Sequence, residues 1–143
     1  MNQSVNFFRG EYFFLSNHLE RPVEFEGLIY QNNESAFQAM KCKNIKDRES
    51  FTNLSPKEAK SRGRKVKLRE DWEQVKENYM YKINLAKFTQ HEDLKELLLN
   101  TGNAYLEEGN FWGDKEWGTV CGIGENKLGK ILMKIREELK IKK

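Results

Sequence analysis

The apolar residues of this chain change their spacing once, near Tyr30, and that change points to an α+β fold. Before it they come in short continuous runs: Val5 to Phe8, Phe13 to Leu15, Val23 to Phe25 and Leu28 to Tyr30. Such runs, rich in Phe, Tyr, Val and Ile, read as strands, and Glu26-Gly27 between the last two reads as a hairpin turn. After Tyr30 the spacing becomes three and four. Asn33 is expected to cap a helix from Glu34 to about Lys43. Ser55-Pro56-Lys57-Glu58 joins a cap, a proline at the first helical position and a glutamate three residues after the cap, which together start a helix. With Asp71 as a further cap, Trp72, Val75, Tyr79, Ile83 and Ala86 predict a long amphipathic helix to about Phe88. Leu94, Leu97 and Leu98 predict a second, stopping at Asn100-Thr101-Gly102, where glycine suits the left-handed C-terminal position. A short strand from Tyr105 to Glu107, a glycine-rich loop from Trp112 to Gly124 and a last helix capped by Asn126 complete the reading; Leu128, Ile131, Leu132, Ile135 and Leu139 form that helix's apolar stripe. The expectation is a single, mainly helical domain with a small N-terminal antiparallel β element.

Only Pro22 and Pro56 and no Ser/Gly-rich tract interrupt the chain, so the 143 residues contain no linker, low-complexity segment or repeat, and 1–143 reads as one domain. A charged fraction of 33% makes a polar surface, while 9 Phe, 5 Tyr and 3 Trp are too many for a disordered chain. No apolar run approaches the ~20 residues of a membrane span, and the N-terminus lacks a basic region ahead of an apolar segment. Neither membrane insertion nor secretion is expected. Cys42 and Cys121 belong to no CxxC or Cys/His cluster and fit a reducing cytoplasm. His18 and His91 are isolated and no HExxH motif exists, so no metal is expected. The glycines form no GxGxxG or Walker pattern, and no cofactor is implied. Lys57, Lys60, Arg62, Arg64, Lys65, Lys67 and Arg69 crowd one short stretch, which reads equally as an anion-binding patch or as a solvated basic face.

On the helix expected from Glu34, residues four and seven apart lie above one another, so Glu34, Gln38 and Lys41 form a polar stripe beside the apolar Phe37 and Met40. A carboxylate beside an amine and walled by aromatics can act as an acid, a base or a stabiliser of an oxocarbenium ion. The same spacing is also that of an ordinary solvated face. Asn17 and Asn126 read by default as turn and cap residues. Trp72 reads as core. Trp112 and Trp117 flank Gly113-Asp114 in the loop and suit either stacking on a flat ring or packing over the core edge.

Taken in order, a set of short motifs resembles the YbiA-like N-glycosidase family, also called NADAR. They are Phe14-Leu15-Ser16-Asn17, Asn33-Glu34-Ser35-Ala36-Phe37-Gln38-Ala39-Met40-Lys41, Ser55-Pro56-Lys57-Glu58-Ala59-Lys60 with Gly63-Arg64, and Asp71-Trp72 with Val75. Ala86-Lys87-Phe88, Leu98-Leu99-Asn100-Thr101-Gly102, Trp117-Gly118, and Gly124 to Gly129 leading to Leu132-Met133 and Arg136-Glu137 follow. Any one is weak; nine in order at compatible distances, over nearly the whole chain, are specific. The resemblance implies an α+β fold and hydrolysis of a bond between ribose and a base or amine. Its substrates would be phosphorylated ribosylamine intermediates of riboflavin synthesis or ADP-ribosylated guanine, free or in nucleic acid. It implies a catalytic role for Glu34 with Lys41, and substrate contacts from Asn17, Trp117, Gly118 and Asn126, with Gln38 on the same stripe as the catalytic pair. Arg64 after Gly63 suits phosphate binding, with Arg62 or Arg9 beside it.

Two departures bear on which base is accepted: a typical member has an aromatic after the Ser-Asn pair where this chain has His18, and Val120 and Cys121 stand among the loop glycines. The reading from another class is a binding module, either for ADP-ribose or NAD-like ligands without turnover or for nucleic acid through Lys57 to Arg69. Such a module would have no need of Glu34.

Overall fold

The structure, a computed structural model, describes residues 3–141. In chain order its elements are β1 (Ser4–Val5), a 3-10 turn (Gly10–Leu15), β2 (Val23–Phe25), β3 (Leu28–Tyr30), α1 (Asn33–Ala39), α2 (Ile45–Glu49), α3 (Pro56–Gly63), α4 (Trp72–Gln90), α5 (Glu92–Asn100), β4 (Tyr105–Leu106) and α6 (Lys127–Ile141). The fold is α+β and mainly helical, as expected. By its internal contacts the chain forms two compact units, one of Asn17–Gln90 and one built from both chain ends, up to Ser16 and from His91 onward.

In Asn17–Gln90, β2 and β3 form the expected antiparallel hairpin, with Val23 opposite Tyr30 and Phe25 opposite Leu28. Its turn residues Glu26 and Gly27 both have positive φ, 47° and 88°, the geometry whose twist matches that of the strands and which glycine tolerates. Val23 and Tyr30 are fully buried, and the hairpin packs on α1 and, through β2, on α4. Phe37 of α1 meets Trp72 of α4 with ring centroids 5.2 Å apart, so Trp72 is core. The start of α3 is as read: the Ser55 hydroxyl accepts from the Glu58 N–H while the Glu58 carboxylate accepts from the Ser55 N–H.

The other unit holds a parallel pair, Val5 opposite Leu106, which joins the two chain ends and which the sequence runs did not reveal. On β4 packs α6, which also packs on α5, burying Leu94, Leu98, Leu128, Leu132, Ile135 and Leu139. Leu97, expected on the stripe of α5, is exposed. It is 44% accessible, one position off the buried Leu94–Leu98 line. Phe13 to Leu15 is not a strand. Gly10, at φ 58°, turns the chain, and the Tyr12 and Ser16 N–H groups donate three residues back to Arg9 and Phe13, closing a 3-10 turn that a run of three apolar residues cannot announce.

The helix carrying Glu34 also departs from expectation. Its cap is Asn32, whose side chain accepts from the Ser35 N–H at 2.8 Å, and not Asn33. It ends at Ala39 because later carbonyls are held from outside. Arg69 donates to Met40 O at 3.2 Å and, through its backbone N–H, to Lys41 O at 3.0 Å, while Arg48 Nε donates to Cys42 O at 2.8 Å. The Lys41 and Cys42 N–H groups accordingly bond three residues back, to Gln38 and Ala39. Asp71 does not cap α4 with its side chain; its carboxylate takes the Arg69 guanidinium at 2.6 and 3.1 Å.

On α4 the buried face is Trp72, Met80, Ile83, Asn84, Lys87 and Phe88, turned slightly from the predicted Val75–Tyr79–Ala86 line. Two of these are polar. Burial and the nearby Arg21 charge push the Lys87 ammonium down to about 7. Between that value and the ordinary lysine range, the unfolded chain holds a proton that the folded chain has shed, so stability rises with pH across this window. A fall from 10.5 to about 7 is worth on the order of 5 kcal/mol. Urea unfolding of wild type followed by circular dichroism is expected to show stability climbing by a few kcal/mol from pH 7 to 10, with Lys87→Met much flatter. Parallel curves would mean that the amine titrates in the fold as it does in water.

Candidate active site

The first turn of α1 is held from behind by asparagines. Asn17 O accepts the Glu34 N–H at 3.1 Å, supplying a partner for one of the free N–H groups of a helix start. Asn33 Nδ2 donates to Asn17 Oδ1 at 3.2 Å and to Asn84 Oδ1 at 3.0 Å, Asn84 Nδ2 donates to Met80 O, and Asn17 Nδ2 points at Met80 Sδ at 3.3 Å. All three asparagines are buried. A buried, hydrogen-bonded network of this kind resists rearrangement, because breaking one link leaves a desolvated polar group behind. It thereby sets the direction in which Glu34 leaves the helix.

Glu34 is buried, 7% exposed as a residue. Its Oε2 accepts from Gln38 Nε2 at 2.7 Å, the four-residue helical spacing, and its Oε1 lies 3.6 Å from His18 Nε2. Burial alone would raise its pKa. The His18 contact, the Gln38 hydrogen bond and the charge of Lys60 outweigh burial and hold the carboxyl below its usual range, so Glu34 is an anion at neutral pH. Gln38 in turn lies against Gly63 at the end of α3. A Cβ on Gly63 would collide with Gln38 Oε1 and Cδ, so only glycine permits this approach. Gln38 Oε1 itself is buried with no hydrogen-bond partner among the described residues, an open acceptor beside the carboxylate.

Lys41 follows the end of α1, and its Nζ donates to Gly63 O at 3.4 Å. Burial lowers its pKa, the Glu34 carboxylate pulls it back up, and the Arg64 guanidinium pushes it down again, with a net lowering. An amine in that state carries more of the neutral, nucleophilic form than a surface lysine. Arg64 is the exposed C-terminal cap of α3.

Of the residues singled out in the sequence, Asn17, Glu34, Gln38, Lys41 and Arg64 are brought together in the Asn17–Gln90 unit. Trp117, Gly118 and Asn126 belong to the other unit, where they are close to one another: Asn126 N–H donates to Gly118 O, and Leu128 N–H to Trp117 O. Trp117 is half-buried under Lys127, whose Nζ lies 5.8 Å from the ring centroid. Asn126 precedes α6 at φ 51°, and its side chain bonds to Glu108 N–H, Tyr105 Oη and Leu106 O, a tie to β4 in place of the expected cap. Arg9 lies over the Phe111 ring at 4.9 Å. A groove of about 500 Å³ lined by Cys42, Asp47, Arg62, Val66 and Arg69 also opens on the Asn17–Gln90 unit, but Asn17, Glu34 and Gln38 do not line it. Among the described residues no group of three or more His, Cys, Asp or Glu is placed to hold a metal.

The sequence reading missed His18 as the partner of Glu34, and Asn33 and Asn84 as its supports. A signal existed for Asn84: it lies on the same helical face as Met80, Lys87 and Phe88, where an asparagine must find buried partners. Nothing in the linear spacing of His18 pointed at Glu34, because the contact spans the hairpin.

The chain is similar to known proteins over nearly its whole length. The NADAR domain model matches residues 5–140. The N-glycosidase YbiA of Escherichia coli (strain K12) is 38% identical over 97% of this chain and 90% of its own. A riboflavin biosynthesis protein of Vibrio vulnificus is 30% identical over 97% of this chain, which spans 39% of that longer protein. The NMR structure of the E. coli protein YbiA superposes with a TM-score of 0.88 at 38% identity, covering 99% of this chain and 88% of that one.

Proposed function

We propose, on the premise that this chain belongs to the NADAR domain family and is an N-glycosidase, that it hydrolyses the ribosyl C–N bond of a phosphorylated ribosylamine of the kind formed early in riboflavin synthesis. The observation that carries the proposal is the buried Glu34 anion next to an amine whose pKa is lowered. The similarity to a riboflavin biosynthesis protein supports the ribosylamine. Breaking the bond puts positive charge on the sugar and negative charge on the departing nitrogen, so an anion held at the sugar stabilises the transition state more than the ground state. Glu34 supplies that anion. The Lys41 amine attacks the anomeric carbon, the C–N electron pair leaves with the base, the ring of the resulting N-ribosyl-lysine opens as its C1–O bond breaks to give an imine, and water hydrolyses that imine to free ribose phosphate. Gln38 Oε1 accepts from a ribose hydroxyl, Asn17 fixes the helix turn, and Arg64 binds the phosphate. Trp117, Gly118 and Asn126 contact the base in this proposal, on the strength of the family resemblance.

The relatives' activity supports an enzyme over a ligand-binding module. A reading of 1–143 as one domain rests on the family model spanning residues of both units, and the free thiols of Cys42 and Cys121 fit a cytoplasmic setting. Among the described residues no helix is long and apolar enough to cross a membrane. A second substrate class, ADP-ribosylated guanine in nucleic acid, is favoured by the exposed Arg62, Arg64, Lys65 and Lys67 near the site.

Incubation with a ribosylaminopyrimidine 5′-phosphate and, separately, with an ADP-ribosylated guanine oligonucleotide, followed by chromatography, tests the reading. Free base and ribose phosphate are expected from the first. Arg64→Ala should raise KM for the phosphorylated substrate by ~10-fold or more and change that for its dephosphorylated form little, since a charge-assisted phosphate contact contributes mainly to binding. Release from the oligonucleotide alone would move the substrate to the second class. Equal losses on both forms would make Arg64 structural.

A further inference from the structure

Cleavage of a ribosyl C–N bond needs a proton for the departing nitrogen, and the residues assigned above do not provide one. Glu34 is held as an anion, so it has no proton to give. Lys41, if it attacks carbon, cannot also protonate the leaving group in the same step. The side chain that stands against Glu34 on its other carboxylate oxygen is the His18 imidazole, a ring whose N–H can be given up and regained. His18 follows Asn17, which is tied to the first turn of α1, and its Nε2 stands 3.6 Å from Glu34 Oε1. The two differ in access: the His18 side chain is 37% exposed and that of Glu34 only 9%. Of the two, the imidazole is the more accessible from solvent.

We propose that His18 donates the proton that the leaving nitrogen takes up, with Glu34 as its charge partner. The proposal rests on the reading of Glu34 given above. The steps balance as follows. The nucleophile, amine or water, bonds to the anomeric carbon and loses one proton to the Glu34 carboxylate. The C–N bond breaks, its electron pair goes to the nitrogen, and His18 gives that nitrogen its proton. Transfer from Glu34 to His18 across their contact then restores both groups. At 3.6 Å the contact is longer than a formed hydrogen bond, as catalytic contacts often are without a ligand. Among the charged groups near the pair, Lys60 on α3 acts on Glu34, Glu34 acts on Lys41, and Arg64 acts on Lys41.

The test is the pH dependence of kcat/KM for wild type, His18→Phe and His18→Gln on the substrate that the wild type turns over, with circular dichroism to confirm folding. Because the donor must be protonated, wild-type kcat/KM is expected to fall at high pH. Both variants should lose that falling limb and run ~10²-fold below wild type at pH 7. His18→Gln keeps a hydrogen-bond donor toward Glu34 without a transferable proton, so it separates donation from positioning: wild-type rates with Gln would overturn the proposal. So would a falling limb that persists in His18→Phe. Glu34→Gln, measured alongside, tells the two readings apart. If it is inactive while both His18 variants behave as wild type, only the proton donor is wrong. If it is fully active, the reading of the site itself fails.

Discussion

Glu34→Gln is expected to fold as the wild type does and to lose at least ~10²-fold in kcat, with KM changed far less. The substitution removes the charge and leaves the shape. Its amide retains one oxygen for the Gln38 Nε2 bond of 2.7 Å, and the Asn17 carbonyl still holds the backbone N–H of residue 34. What disappears is the anion at the sugar, whose value lies in the transition state, so kcat carries the loss. Stability should not drop with it. Glu34 is buried and is compensated by His18, Gln38 and Lys60, and neutralising a buried charge among such partners removes its desolvation cost together with its attractions. Thermal melts of the two proteins are therefore expected to lie close together. A variant as active as wild type would remove Glu34 from the chemistry, and an unfolded one would make it a structural ion.

The parts of the fold that were legible in sequence are those in which local chemistry decides alone. Ser55-Pro56-Lys57-Glu58 makes its cap within four residues, and Glu26-Gly27 closes its hairpin with one glycine at positive φ. The parts that were not legible depend on distant residues. The helix after Asn32 stops at Ala39 because Arg69 and Arg48, on other segments, occupy the carbonyls of residues 40 to 42. No propensity in Met40-Lys41-Cys42 announces that stop. β1 pairs with β4 across about a hundred positions, and two strands of two residues each have no periodicity to read. The candidate site divides in the same way. Glu34 and Gln38 share a helix, so their 2.7 Å bond follows from four-residue spacing. Lys41 faces the same space for a different reason than the helical one expected. It lies past the helix end and is positioned by Gly63 and Arg69. His18 reaches Glu34 only because the chain returns after the hairpin to set α1 against Asn17.

That placement of Lys41 makes its chemistry the sharpest remaining test. If its amine attacks the anomeric carbon, enzyme and sugar pass through an imine once the ring opens, and borohydride during turnover should trap an adduct whose mass is the protein plus ribose phosphate less one water plus the two hydrogens of reduction, mapping to Lys41. Lys41→Arg keeps the positive charge beside Glu34, but a guanidinium stays protonated at neutral pH and cannot form that imine. The variant is expected to fold, to give no adduct and to lose on the order of 10³-fold in kcat. A second lysine makes the mapping informative. Lys87, buried on α4 with its pKa lowered to about 7, is also rich in neutral amine at physiological pH. An adduct at Lys87 would move the nucleophile to α4 and leave Lys41 as an electrostatic neighbour of Glu34. The geometry favours Lys41, because the Glu34 carboxylate acts on its charge directly, whereas the charged group acting on Lys87 is Arg21. An active Lys41→Arg enzyme with no adduct on any lysine would leave Glu34 to stabilise the sugar cation alone, with water attacking carbon. The two routes predict different responses to the same substitution, so trapping and turnover measured on one preparation decide between them.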